Sequence, residues 1–152
     1  MYWQHIYELP NKNTEEAIKY FQKEVLSNFK QDNFQILDNT ISFEISDDKV
    51  NFKKYGGTNM GTAFLAQLYM KYLVVIDFKK DKYRVTVKEI FLDNKLYGPG
   101  RMSGDISEFC TKKDVTLFMT GKNITTGLTY NDKHFLEKFN IDLTQTTNNK
   151  DW

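Results

Sequence analysis

The chain has 152 residues, of which 40% are hydrophobic, 15% aromatic and 27% charged, enough for one globular domain that buries about two-thirds of its unfolded surface. Its 21 basic and 20 acidic residues leave a formal charge of +1, without the basic excess of a protein that lives on nucleic acid or anionic membrane. A single cysteine, Cys110, excludes an intramolecular disulfide, and no run of about 18 apolar residues is present to span a bilayer.

In chain order, residues 3–9 alternate as a first strand closed by Pro10. A helix follows, with Asn13 as its cap and Glu16 placed to reach back as in a capping box. Ala17, Ile18, Phe21, Val25 and Phe29 recur at helical spacing, and the helix should end within residues 29–31. Residues 34–37 and 41–45 read as short strands around the turn "DNT". The run "SDD" at residues 46–48 reads as a second turn, and residues 50–55 as another strand.

The Gly-rich break "YGGTNMGT" comes next. Residues 68–78 read as strand, with 64–67 open between helix and strand. Tyr72, Val74, Ile76 and Phe78 share one face of that strand, because side chains alternate with period two. "KKDK" turns the chain, and Tyr83, Val85 and Val87 give the return strand its matching apolar face, with Arg84, Thr86 and Lys88 on the other. Beyond Asn94, "NKLYGPGRMSGD" reads as a loop, "ISEFCTKKDVTLFMT" as a short helix or strand, and "GKNITTG" as a turn. Asn131 or Asp132 is placed to cap a last helix with Phe135, Leu136, Phe139 and Leu143 as its apolar stripe. The pattern predicts a single α+β domain over residues 1–145 and a polar tail over 146–152, with no internal repeat.

No constellation in the sequence carries strong chemistry. "GGTNMGT" imitates a phosphate-binding loop but has Thr62 where the motif needs lysine. Arg101, in the second Gly cluster, combines a guanidinium with flexible backbone and suits an anion. Cys110 and His134 are the one pair able to form a thiol nucleophile and its base, yet neither sits in an activating motif. His5, His134, Glu137 and the acids around Asp47 do not fit a zinc or calcium pattern. No metal or cofactor is expected.

The stretches "YELPNKNTEEAIKYFQKEVLSNF", "NTISFEI" and "YLVVIDFKKDKYRVTVKEI", with the pair Tyr83-Arg84 opening the return strand, resemble an uncharacterised domain family of Bacteroidota with a TATA-binding-protein-like (TBP-like) fold. The resemblance covers residues 2–93. It implies a curved antiparallel sheet with a long N-terminal helix and a C-terminal helix packed on one face. It implies no DNA binding, since the name describes fold alone, and carries over no catalytic residues. Members are often envelope proteins. Residues 1–13 lack a signal peptide's basic and apolar regions, so the expected compartment is envelope or periplasm if a signal was removed, and cytoplasm otherwise.

The leading functional reading is therefore a non-enzymatic binding module that uses an exposed sheet face lined by Tyr69, Lys71, Arg84, Thr86 and Lys88, with Arg101 as a further candidate. A protein, peptide or glycan is the expected partner, and the chain a monomer or weak homodimer. The alternatives are a small enzyme with a pocket near Cys110 and His134 or the Arg101 loop, and, less favoured, a nucleic-acid module.

Overall fold

The computed structural model describes residues 1–9, 13–95, 103–110 and 122–140. Pro10, residues 96–102 with Arg101, Leu143 and the tail 146–152 lie outside the described residues, and the end of the stretch read as a loop, Gly104–Asp105, is a short strand. The elements are β1 (Tyr2–Glu8), α1 (Thr14–Asn28), β2 (Gln31–Leu37), β3 (Thr40–Lys49), β4 (Tyr69–Lys79), β5 (Lys82–Asp93), β6 (Gly104–Asp105), α2 (Ile106–Cys110) and α3 (Lys122–Phe139). The strands form one antiparallel sheet in the order β1-β5-β4-β3-β2, with β6 also on β5.

The alternation read from the sequence makes the central hairpin. Val74, Ile76, Val85 and Val87 are fully buried, and the register pairs Phe78 with Tyr83 and Val74 with Val87. The turn at residues 80–81 places Asp81 at φ 63°, a left-handed conformation that Asp tolerates better than most residues. In α1, Asn13 accepts from the Glu16 backbone N–H at 2.7 Å, satisfying one of the free donors of the first turn. The helix buries Ala17, Phe21 and Val25. Phe21 meets Phe78 and Tyr83 edge-on, at 5.3 and 5.0 Å between centroids.

On the same face, Phe135 of α3 packs against Trp3 at 5.4 Å and Tyr72 at 5.2 Å. The Tyr83 hydroxyl donates to the Phe139 carbonyl at 2.8 Å, and the Tyr7 hydroxyl to that of Leu136 at 3.1 Å. These bonds tie the end of the helix to strands β5 and β1. Burying each such aromatic contributes about 2–3 kcal/mol, so the two helices are held mainly by ring packing on one side of the sheet. Among the described residues, no helix is long and apolar enough to cross a membrane.

Three local readings need correction, and one left open is resolved. "SDD" is not a turn but a bulge inside β3, which continues to Lys49 with its register shifted between Ile45 and Asp48. Residues 50–55 are not a strand. After Val50 the chain coils into a 3-10 turn, Phe52–Tyr55, capped by Asn51 and closed at Gly56 with φ 86°. Val50 and Phe52 are both buried, but by a turn folding over the core. "GKNITTG" runs into α3, which is already helical from Lys122, so Asn131 and Asp132 lie mid-helix and cap nothing. The open stretch, Phe64–Gln67, is a second 3-10 turn that leads into β4 at Tyr69.

Bulges curve the sheet. Besides the β3 bulge, the β2–β3 register shifts between Asp32 and Gln35 and the β4–β5 register between Lys71 and Leu73. Each has one left-handed residue in the strand carrying the extra position: Asn33 (φ 56°), Asp47 (φ 57°) and Glu89 (φ 55°). Such insertions bend the strand and raise its twist.

Candidate functional site: the open face of the sheet

With α1 and α3 on one side, the opposite side chains of the strands form a face that no described helix covers. The registers align them in three rows across the sheet: Tyr2–Lys88–Leu73–Glu44–Asp32, then Gln4–Thr86–Val75–Ser42–Gln35, then Ile6–Arg84–Asp77–Thr40–Leu37. Tyr69 and Lys71 lie on the same face, paired with Asp93 and Phe91. Five of the six residues singled out from sequence thus come together on one surface. The sixth, Arg101, falls outside the described residues.

Their surroundings separate them. Arg84 is tied to Asp77 (Nη2 to Oδ2, 2.7 Å), which also accepts from the Thr40 hydroxyl at 3.0 Å. Thr86 accepts from the Gln4 amide at 2.9 Å. Lys71 lies 3.6 Å from Glu44, an exposed pair worth about 0–1 kcal/mol. Tyr69 sits at one end of the face, with the ammonium groups of Lys49 and Lys95 at 5.0 and 4.6 Å from its ring centroid, a cation–π arrangement. The basic residues are interspersed with acids and do not gather into one positive field.

Lys88 borders a shallow groove on this face, of about 670 Å³. Leu73 and Val75 form its apolar floor, and Gln35, Thr40, Ser42 and Asn33 supply neutral hydrogen-bonding groups along β2 and β3. Among the described residues Lys88 makes no ion pair, whereas Glu44, also in the groove, leans toward Lys71. The β2 and β3 residues were missed from sequence. Thr40, Ser42 and Glu44 alternate with Ile41, Phe43 and Ile45, and that alternation was the available signal for a second, polar face.

A second cluster lies on the helix side. The β3 bulge turns Asp48 inward, level with Met70. Its carboxylate accepts from the Tyr72 hydroxyl, from His134 Nε2 at 2.8 Å and from Lys138 Nζ at 3.0 Å. A carboxylate can only accept, so His134 carries its proton on Nε2. Burial pushes the Asp48 carboxyl up, but the hydrogen bond and charge of His134, the charge of Lys138 and the Tyr72 hydroxyl outweigh it and hold it well below the usual carboxylate range. Burial, reinforced by Asp48, raises the Tyr72 phenol well above its ordinary value.

His134 is therefore committed to Asp48. Cys110 has no exposed surface, and burial, with a smaller push from Asp105, raises its thiol. That is the environment of a packing residue and not of an activated nucleophile. Among the described residues, no three His, Cys, Asp or Glu side chains gather as metal ligands would.

An antiparallel sheet, a long N-terminal helix and a C-terminal helix on one face, with the other face open, define an α+β chain of TBP-like fold. A solved neighbour fixes this assignment. A TBP-like protein from Parabacteroides distasonis superposes with a TM-score of 0.58 over 91% of this chain and 89% of its own, at 10% sequence identity. At that identity the likeness concerns fold alone. No family model matches the chain, and no curated protein does.

Proposed function

We propose that the chain is a non-enzymatic binding module whose open sheet face receives an extended peptide or glycan. The observation that carries this reading is the groove itself, an apolar floor of Leu73 and Val75 walled by hydrogen-bonding side chains, both neutral (Asn33, Gln35, Thr40, Ser42) and charged (Glu44, Lys88). Such a surface desolvates at little cost and still fixes orientation through a few polar contacts. The interspersed acids and the paired state of Arg84 and Lys71 argue against nucleic acid. The buried Cys110 and engaged His134 argue against thiol chemistry. We further propose that the chain is a divergent member of the uncharacterised Bacteroidota family it resembles, a reading supported by the Parabacteroides neighbour.

The test is a peptide and glycan array probed with the labelled protein and with Val75→Glu and Ser42→Arg. Both positions lie on the open face and are only partly buried, so the fold should survive, as circular dichroism would verify. Ligands held by the wild type should be lost by both variants, with affinity falling at least about tenfold as a charge is forced into the apolar floor or the groove is filled. Variants that retain every wild-type ligand would refute the assignment of binding to this face.

A further inference from the structure

The two outer strands of the sheet are built differently. β2 carries a bulge at Asn33, next to Asp32, and bulges and charges are devices that prevent an edge from pairing with another chain. β1 has no bulge, and its one charged residue, Glu8, lies at its last position. Its seven residues pair with β5 in unbroken register from Tyr2–Lys88 to Glu8–Lys82. The sequence YWQHIYE has no lysine, arginine, proline or glycine. Tyr2 and Ile6 are 67% and 53% exposed. Among the described residues, nothing pairs with the outer edge of β1.

We propose that β1 is a strand-addition interface for a second copy of this chain, joined antiparallel about a twofold axis through His5. The sequence is self-complementary in that register. His5 faces His5 of the partner copy, Gln4 faces Ile6, Trp3 faces Tyr7 and Tyr2 faces Glu8. Glu8, the one acid of the strand, therefore meets a tyrosine and never its own copy. The aromatic Trp3–Tyr7 pairs fall on the helix side, where cross-strand aromatic pairs stabilise a ladder. Exposed Tyr2 and Ile6 fall on the open side, so the join covers apolar surface and continues the open face from one copy into the next. Closed twofold symmetry ends the assembly at two copies, because β1 is the one edge without a bulge at the ends of the described strand order.

The axis position gives a charge-exchange test. His5 is exposed, so His5→Glu and His5→Lys should fold as the wild type does, as their melting curves would verify. Sedimentation equilibrium should show a reversible wild-type dimer. Each variant alone sets like charges opposite one another on the axis and should dimerise about tenfold more weakly. An equimolar mixture should recover wild-type association as a heterodimer. Wild-type protein that stays monomeric at its solubility limit overturns the proposal. So does a dimer that both variants leave intact, which would place the interface elsewhere, and so does a mixture that fails to recover.

Discussion

Replacing Asp48 with Asn is the sharpest test of how α3 is held. The side chain is only 10% exposed and receives Tyr72, His134 and Lys138 together. Asn keeps the volume and loses the charge: its one oxygen can take the place that accepts from Tyr72 and His134, which turns its NH2 toward the Lys138 ammonium. Tyr72 is 1% exposed, and its bond to a charged acceptor, worth about 1.5–3 kcal/mol, becomes one to a neutral amide, worth about 0.5–1.5 kcal/mol. His134, at 13% exposure, loses the charge of its partner, while Lys138, at 20%, loses its counter-ion but retains a route for its ammonium toward water. The total should approach the lower end of the cost of breaking a buried pair, about 3 kcal/mol, which corresponds to a melting point lower by about 6–12 °C in a chain of this size.

Urea unfolding of wild type and Asp48→Asn measures that cost, and its pH dependence gives an independent check. The folded carboxyl lies below its ordinary value of 3.8. The group's contribution is therefore fully present above that value and is lost as pH falls from there toward the folded one. Wild type should lose stability with acid in that window more steeply than the variant, and the two curves should converge at the acid end. A cost under about 1 kcal/mol at neutral pH, or parallel acid limbs, would refute the account of Asp48 as the latch of α3.

The remaining expectations concern the core. A Cβ at Gly127 would stand 3.0 Å from Leu65 Cβ and 3.4 Å from Ala63 Cβ, so α3 approaches the second 3-10 turn closely there. Gly127→Ala should stay within about 1 kcal/mol of wild type, since helix propensity offsets a tight contact. Gly127→Val should cost about 2 kcal/mol or more, and urea midpoints for the pair check both values. Cys110 should resist iodoacetamide in the folded protein and react fully in urea. Native-state alkylation as fast as that of a free thiol would contradict its burial.

What the sequence reveals here depends on how local the cause is. The β4–β5 hairpin and α1 follow from period-two and helical spacing and from a cap three residues away, all within one element. The start of α3 was hidden because the buried stripe runs Gly127, Asn131, Phe135, Phe139. Its spacing of four is regular, but its first two members are not hydrophobic. Asn131 consequently looked like a cap when it is a packed mid-helix residue. The 3-10 turn at Phe52–Tyr55 was missed for the opposite reason: Val50 and Phe52 alternate like a strand, but their burial comes from a turn.

Asp47 and Asp48 show the deepest limit. Two adjacent acids after a serine suggest a solvated turn, and Asp47 does remain at the surface with Lys30 and Lys95. Its left-handed backbone sends the next residue to the buried face, where the partners of Asp48 are Tyr72, His134 and Lys138, between 24 and 90 positions away. No periodicity encodes such a contact. The bulges of β3 and β5 flank β4 on either side at Lys71 and Tyr72. There, the local bend of the sheet and the inward turn of Asp48 arise from the same inserted residue, Asp47. The groove on the open face lies on the strands that these bulges bend, and the latch of α3 lies on the other side of the same bend. The shape of the groove and the retention of the helix therefore share a structural cause, although their side chains point to opposite faces.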